Sequence, residues 1–370
     1  MKKILLGTSA LLVAGMVSAS ANAAPVKLSV GGYANWYTGF VDANNHLEDV
    51  QGKKYEHVPV VGEVEVHFKG ETTLQNGLKF GAVIELTSVN ADDSGADEDQ
   101  SYIYADTAAG RFTFGKIDSI SKQLHKSSKD VGLLDIQGSD VGKLVPHVGF
   151  RSVEHISTDI RRADDEATIA YFSPKFAGFT IAASYSNVDT DATHNMEGND
   201  AAYSAVVSYN NTFGKVTLDA DVGYTRYDKW GFYVVNAAEE LISIGNLEYE
   251  VNAGFRVGVA GFSIGGGYKF GNGRDALNDC HTFDAGVAYE NGPYGVSLSY
   301  INENIETDAV GRDDLKTQML LASFGYEITD GVKTFASVAY VNQKGYVRDA
   351  FGGSENANAY VIAGGLGLTF

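Results

Sequence analysis

The sequence has 370 residues, and its 47 acidic against 28 basic side chains give a formal charge of −19, which becomes −21 without Lys2 and Lys3. So acidic a chain is not a nucleic-acid binder. Cys280 is the one cysteine, which excludes an intramolecular disulfide and a cysteine-rich zinc site.

Lys2 and Lys3 precede an apolar stretch, Ile4 to Ala19, and Ala21-Asn22-Ala23 then forms a small-x-small cleavage pattern. With Gly7, Thr8, Ser9 and Gly15 inside it, the stretch falls short of the ~20 apolar residues of a membrane-spanning helix. The expected organisation is a signal peptide over 1–23, cleaved near Ala23, and a single β unit over 24–370. No later segment is apolar enough for a spanning helix, and no Pro- or Ser-rich linker divides the chain.

Beyond Ala23 the chain alternates with period two. Leu247, Tyr249, Val251, Ala253, Phe255, Val257 and Val259 share one face of a segment, and Glu248, Glu250, Asn252, Gly254, Arg256 and Gly258 share the other. Phe283, Ala285, Val287 and Tyr289 stand against Thr282, Asp284, Gly286, Ala288 and Glu290 in the same way. Such alternation predicts strands near 26–40, 59–74, 78–88, 101–107, 111–117, 167–173, 177–187 and 201–210. It continues near 215–227, 247–259, 262–270, 281–290, 294–302, 315–328, 332–342 and 358–370. The connections alternate long and short throughout. The long ones include 228–246 and 271–280; the short ones include Ser173-Pro174-Lys175, Ala260-Gly261 and Thr329-Asp330-Gly331. Tyrosines and phenylalanines gather near strand ends, and many positions on the polar face carry charge or glycine. The expectation is an all-β fold: a transmembrane antiparallel β-barrel of sixteen strands, with turns on one side and loops on the other.

Several segments resemble the general porins of Gram-negative outer membranes, particularly those of alphaproteobacteria. They are Val26-Lys27-Leu28-Ser29-Val30-Gly31-Gly32-Tyr33, then Phe68-Lys69-Gly70-Glu71-Thr72 with Asn76-Gly77-Leu78. Next come Gly110-Arg111-Phe112-Thr113-Phe114-Gly115-Lys116, and Arg162-Ala163-Asp164-Asp165 before Tyr171-Phe172-Ser173-Pro174-Lys175-Phe176-Ala177-Gly178-Phe179. Ile362, Leu366, Leu368 and Phe370 are similar to the terminal signal read by the barrel-assembly machinery. The resemblance spans the chain from Val26 to Phe370. It implies a homotrimer in the outer membrane, in contact with lipid and lipopolysaccharide, that passes small hydrophilic solutes. It also implies a third loop folded into each lumen. That loop, 118–166, carries Leu133, Leu134, Ile136 and Val145, anchors that a solvated loop would not need. Where many relatives place an inward arginine, five residues before Gly70, this chain has Glu65.

The expected pore constriction is Glu63, Glu65, His67 and Lys69 on the second strand, Arg111 on the fifth, Asp135 and Asp140 on the third loop, and Arg162 before the sixth strand. Each charge reads equally as part of a solvated wall. Glu63 and Glu65 predict a mild preference for cations. Loop 89–100 is strongly acidic, and Asp92, Asp93 and Asp97 read either as a solvated tip or as a loose calcium site; Ser101 stands where an EF-hand needs its last glutamate. No other cofactor is expected. His125, His147 and His155 lie in the third loop without zinc-helix spacing, and no Gly-x-Ser-x-Gly elbow or phosphate-binding glycine loop occurs. A passive pore is therefore expected. The alternative is a non-conducting structural or adhesive barrel that presents acidic loops, and an enzymatic barrel is a third reading.

Overall fold

Side chains two apart share a face of a strand, and each alternating stretch of the sequence forms one. The computed structural model describes residues 24–43, 57–89, 97–137, 139–145, 156–188, 200–235, 241–274, 277–307, 314–344 and 356–370. Residues 1–23, Asp92, Asp93, His147 and His155 lie outside them.

The strands are β1 (Lys27–Ala43), β2 (Val60–Thr73), β3 (Lys79–Val89), β4 (Asp97–Thr107), β5 (Gly110–Ile117), β6 (Glu166–Phe172), β7 (Phe179–Val188) and β8 (Asp200–Phe213). They continue as β9 (Val216–Val235), β10 (Leu241–Val259), β11 (Phe262–Arg274), β12 (Leu277–Asn291), β13 (Tyr294–Thr307), β14 (Leu315–Thr329), β15 (Val332–Lys344) and β16 (Asn356–Thr369). Each pairs antiparallel with its sequence neighbours, and β1 pairs with β16 to close the barrel. Closure leaves no backbone edge unpaired, which a sheet in hydrocarbon requires. Phe370 completes the seam: its N–H donates to the Gly32 carbonyl at 3.0 Å, and the Gly32 N–H donates to the Phe370 carbonyl at 3.0 Å.

The outward face is apolar, with Phe40, Val222, Ile264, Leu298, Val338 and Ile362 all exposed. Rings stack in two belts. Near the short turns, Phe262–Tyr289 and Tyr294–Tyr326 have centroids 4.3 and 5.0 Å apart. Toward the long loops, Tyr185–Tyr203 and Tyr340–Tyr360 lie at 5.4 and 4.9 Å. This is the arrangement of interfacial girdles on a membrane barrel. Ile362, Leu366, Leu368 and Phe370 all point outward into that face. No helix among the described residues is long and apolar enough to cross a membrane.

Three local readings need correction. The turn expected at Ser173-Pro174-Lys175 lies at Ala177-Gly178, where φ is 49° and 94°, the positive pair of a two-residue hairpin. The connections expected over 228–246 and 271–280 are largely strand, because β9 and β10 run 20 and 19 residues and β11 and β12 also extend. Beyond the lipid nothing enforces alternation, so the ladder continues where its pattern fades. Leu247 is turned inward and buried, because a register shift between Leu247 and Tyr249 places an extra residue in β10 opposite β11.

The connection between β5 and β6 enters the barrel. It carries two short helices, α1 (Ile120–Leu124) and α2 (Ser139–Leu144). Ser119 caps α1, its Oγ accepting from the Lys122 N–H at 3.1 Å. Leu134, Ile136, Val141, Leu144, Val145 and Ile156 of this loop pack on Tyr37, Val41, Ile301, Met319, Leu321, Phe335, Val341 and Val361 of the inner wall, with Leu133 at the edge. The barrel's apolar core is thus the seat of its third loop.

Glycines make that seat possible. A Cβ on Gly254 of β10 would lie 1.9 Å from the Lys126 carbonyl oxygen, and one on Gly325 of β14 would lie 2.3 Å from that of Val131. Gly265, Gly267, Gly286 and Gly367 likewise face loop atoms within 3.0 Å of their missing Cβ. Inward glycine reads in the sequence as open, wet lumen; here it is the lane along which the loop runs.

Candidate pore constriction

Polar contacts finish what the apolar seat begins. Asp221 of β9 accepts from the Lys126 N–H at 2.7 Å and lies 2.9 Å from His125 Nδ1. Asp284 of β12 accepts from the Ser128 N–H at 2.8 Å and the Thr158 hydroxyl at 2.7 Å. Arg256 of β10 donates to the Ser127 and Ser128 carbonyls at 2.9 and 3.1 Å. Lys269 of β11 donates to the Asp159 carbonyl at 2.9 Å. These wall charges sit on the lumen face, yet they bind the loop and not passing solutes: the Asp221 and Glu250 side chains are 0% and 1% exposed.

With the loop packed on the inner wall from β6 round to β16 and β1, accessible charges line β2 to β4 and the facing edge of the loop. Glu63, Glu65 and His67 of β2 stand in line. The Tyr33 hydroxyl of β1 lies 2.7 Å from Glu63 Oε1 and 2.5 Å from Glu65 Oε1 and donates its one proton to either. His67 Nε2 lies 2.8 Å from Glu65 Oε2. From the loop, Lys143 of α2 forms an ion pair with Glu63 and lies 3.4 Å from Asp140. Asp140 accepts from the Tyr37 hydroxyl at 3.1 Å. Lys122 of α1 pairs with Asp118 at 2.6 Å and Asp164 at 3.2 Å, and it is near enough to act on Glu63. Asp99 and Asp165 lie within the same electrostatic neighbourhood. His67 and Lys122 keep 34% and 37% of their side-chain surface, so this strip is open to water while the far wall is closed.

Carboxylates outnumber bases here, and burial holds some of them partly neutral. Burial, reinforced by the charge of Asp135, pushes Asp140 up to about 7. Burial against the opposing Lys122 brings Asp164 to about 7. Asp135 rises to about 6 through burial, with Arg161 opposing, and Asp165 to about 6 through burial and its neighbours Asp99 and Asp118. Burial works against the Lys122 ammonium, but Asp164 and Asp118 hold it above the usual lysine range.

A family model described as Gram-negative porin matches residues 8–346. The chain belongs to the Gram-negative porins. No curated protein matches it. Among solved structures, the porin is similar to the anion-selective porin from Comamonas acidovorans, at 14% identity and a TM-score of 0.63 over 94% of this chain and 100% of that one. It is similar to OmpT in its trimer form, an outer membrane protein of Vibrio cholerae, at 12% identity and a TM-score of 0.62 over 94% and 100%. A mutant of the Rh. blastica porin matches at 16% identity and a TM-score of 0.52 over 93% and 100%. At these identities the likeness is one of fold. The porin is an outer-membrane channel protein, built on a closed barrel with its third loop inside.

The residues expected at the porin's constriction fall into three places. Glu63, Glu65, His67 and Asp140 come together, with half-buried Asp135 behind Asp140 on the loop. Lys69 and Arg111 do not join them. Both sit at the short-turn mouth, where Lys69 pairs with Glu71 at 3.0 Å and Arg111 grips Asp106 at 2.6 and 2.9 Å. Tyr104 organises this mouth, its hydroxyl donating to Glu71 at 2.6 Å beneath the Arg111 guanidinium, 4.4 Å from the ring. Arg162 does not reach the passage either. It is anchored on the far wall with Nε 3.3 Å from Glu250 Oε2, so it holds the end of the loop. Asp97 lies exposed at the start of β4. Sequence reasoning missed Lys122, Lys143, Tyr33 and Tyr37. The lysines carried no strand register to assign them a face, and neither tyrosine carries a charge that marks it as pore-lining.

Proposed function

We propose that this porin is a passive diffusion pore for small hydrophilic solutes and ions, mildly selective for cations, and that it works as a homotrimer. The observation that carries the reading is the third loop, packed inside the barrel on its inner wall; the passage we infer beside it runs past Glu63, Glu65, Asp118 and Asp140. Opposed charges along a narrow passage produce a transverse field that orients water and disfavours apolar solutes. No step needs a nucleotide or an energised partner. The acidic surplus supports cation preference. Wall charges act over about 8 Å at physiological salt, so their sum reaches an ion in transit. The Comamonas porin shares the fold and is anion-selective, so side chains on the wall, and not the barrel, must set the sign. The trimer form of a structure with this fold supports the assembly.

The purified protein should raise the conductance of a planar bilayer in discrete steps. Liposomes carrying it should swell in solutions of small sugars. Insertion without conductance or swelling would favour the structural or adhesive barrel.

A further inference from the structure

The passage holds a set of donors that ion conduction does not require. Glu65 and His67 are two apart on β2 and so share the lumen face. His67 lies directly opposite Glu85 in the β2–β3 ladder. One carboxylate oxygen of Glu65, one ring nitrogen of His67 and one carboxylate oxygen of Glu85 all fall within 4.8 Å of one another. Three ligands of a tetrahedral ion with bonds of about 2.0–2.1 Å sit roughly 3.3 Å apart, so small side-chain rotations close the set. Tyr33 prepares it further. Its hydroxyl takes Glu65 Oε1 at 2.5 Å, leaving Oε2 turned to His67 at 2.8 Å. Hydrogen bonds of this kind orient ligands in metal sites.

We propose that Glu65, His67 and Glu85 form a site for a divalent transition-metal ion of the zinc class, held on the wall of the solute path. The donor chemistry selects the ion. Calcium and magnesium want shells of six or more oxygens, whereas one imidazole with two carboxylates suits zinc and leaves a fourth position for water. The imidazole distinguishes the cluster from a merely acidic patch, and its exposure leaves it reachable by ions in the lumen. A bound dication would neutralise Glu65 and Glu85 and narrow the passage. That consequence rests on the pore reading; the binding itself does not.

The test is equilibrium dialysis of the untagged, folded barrel against zinc chloride in excess calcium, beside bilayer recordings. Wild type should bind one zinc per barrel. His67→Ala, His67→Gln and Glu85→Gln should each weaken binding about tenfold or more, with folding confirmed by heat-shifted electrophoretic mobility. Zinc should lower wild-type conductance and leave that of His67→Gln unchanged. No saturable zinc binding by wild type overturns the site, as does wild-type affinity in both folded His67 variants. Zinc binding at these residues with unaltered conductance overturns its placement in the path. A barrel that binds zinc but never conducts supports the site while removing the pore reading.

Discussion

Asp140 and Asp164 should make the channel's charge selectivity depend on pH. Burial brings both to about 7 and brings Asp135 and Asp165 to about 6. An acid whose value is raised by folding is neutral below that value, so these groups lose charge as pH falls from 8 to 5. Lys122 and Lys143 keep theirs over the same range. The preference for cations should therefore be strongest at pH 8 and weaken steadily toward pH 5, as read by the reversal potential in a fixed salt gradient. The Asp140→Asn variant should show a smaller change over this interval. A wild-type preference independent of pH would place these carboxylates away from the passage. The same groups set the sign of a stability effect: neutral in the folded barrel and charged when unfolded, they favour folding more at pH 5 than at pH 8.

At the scale of elements, the strands were legible and the loop's seat was not. Lipid on one side and lumen on the other impose the alternation seen in β12, where Phe283, Ala285 and Val287 oppose Thr282, Asp284 and Gly286. On the lipid side the strands obey that rule within the membrane, although their ends beyond it do not. The seat breaks the rule on the lumen side. Ile301, Met319, Leu321 and Val361 are apolar and inward because the loop covers them. Runs apolar on both faces, Met319-Leu320-Leu321 and Ala359-Tyr360-Val361-Ile362-Ala363, carry the signal of this in the sequence. Asp221, Glu250 and Asp284 lie on the polar faces of their strands, and nothing local distinguishes them from Glu63; only the path of the loop does. Of the candidate site, strand register brought out Glu63, Glu65 and His67 of β2, but it also put Lys69 there, and the lysine partners on the loop had no register to read.

The glycine lane gives an element-scale test. Gly254→Val would drive a side chain into the Lys126 backbone, which cannot swing aside as a side-chain end could. Overpacking of this kind costs about 1–3 kcal/mol, and it should push the loop toward the passage. The expected outcome is a folded barrel of reduced thermal stability and lower single-channel conductance. Ala253→Val, one residue away but facing lipid, should change neither. Unaltered conductance in a folded Gly254→Val barrel would mean that the wall does not position the loop.

For the whole molecule, closure by β1 and β16 makes each barrel a complete sheet, so association needs no strand exchange. Cross-linking in mild detergent should give a heat-sensitive trimer band; monomers alone across several detergents would retire the trimer. The central claim is that the loop and β2 together leave an acidic passage, and the reversal potential across a potassium chloride gradient tests it most directly. The expected potential has the sign set by potassium and shifts toward chloride in Glu65→Arg, which moves the local charge by two units. A wild-type channel that prefers chloride, or a Glu65→Arg channel with an unshifted potential, would contradict it.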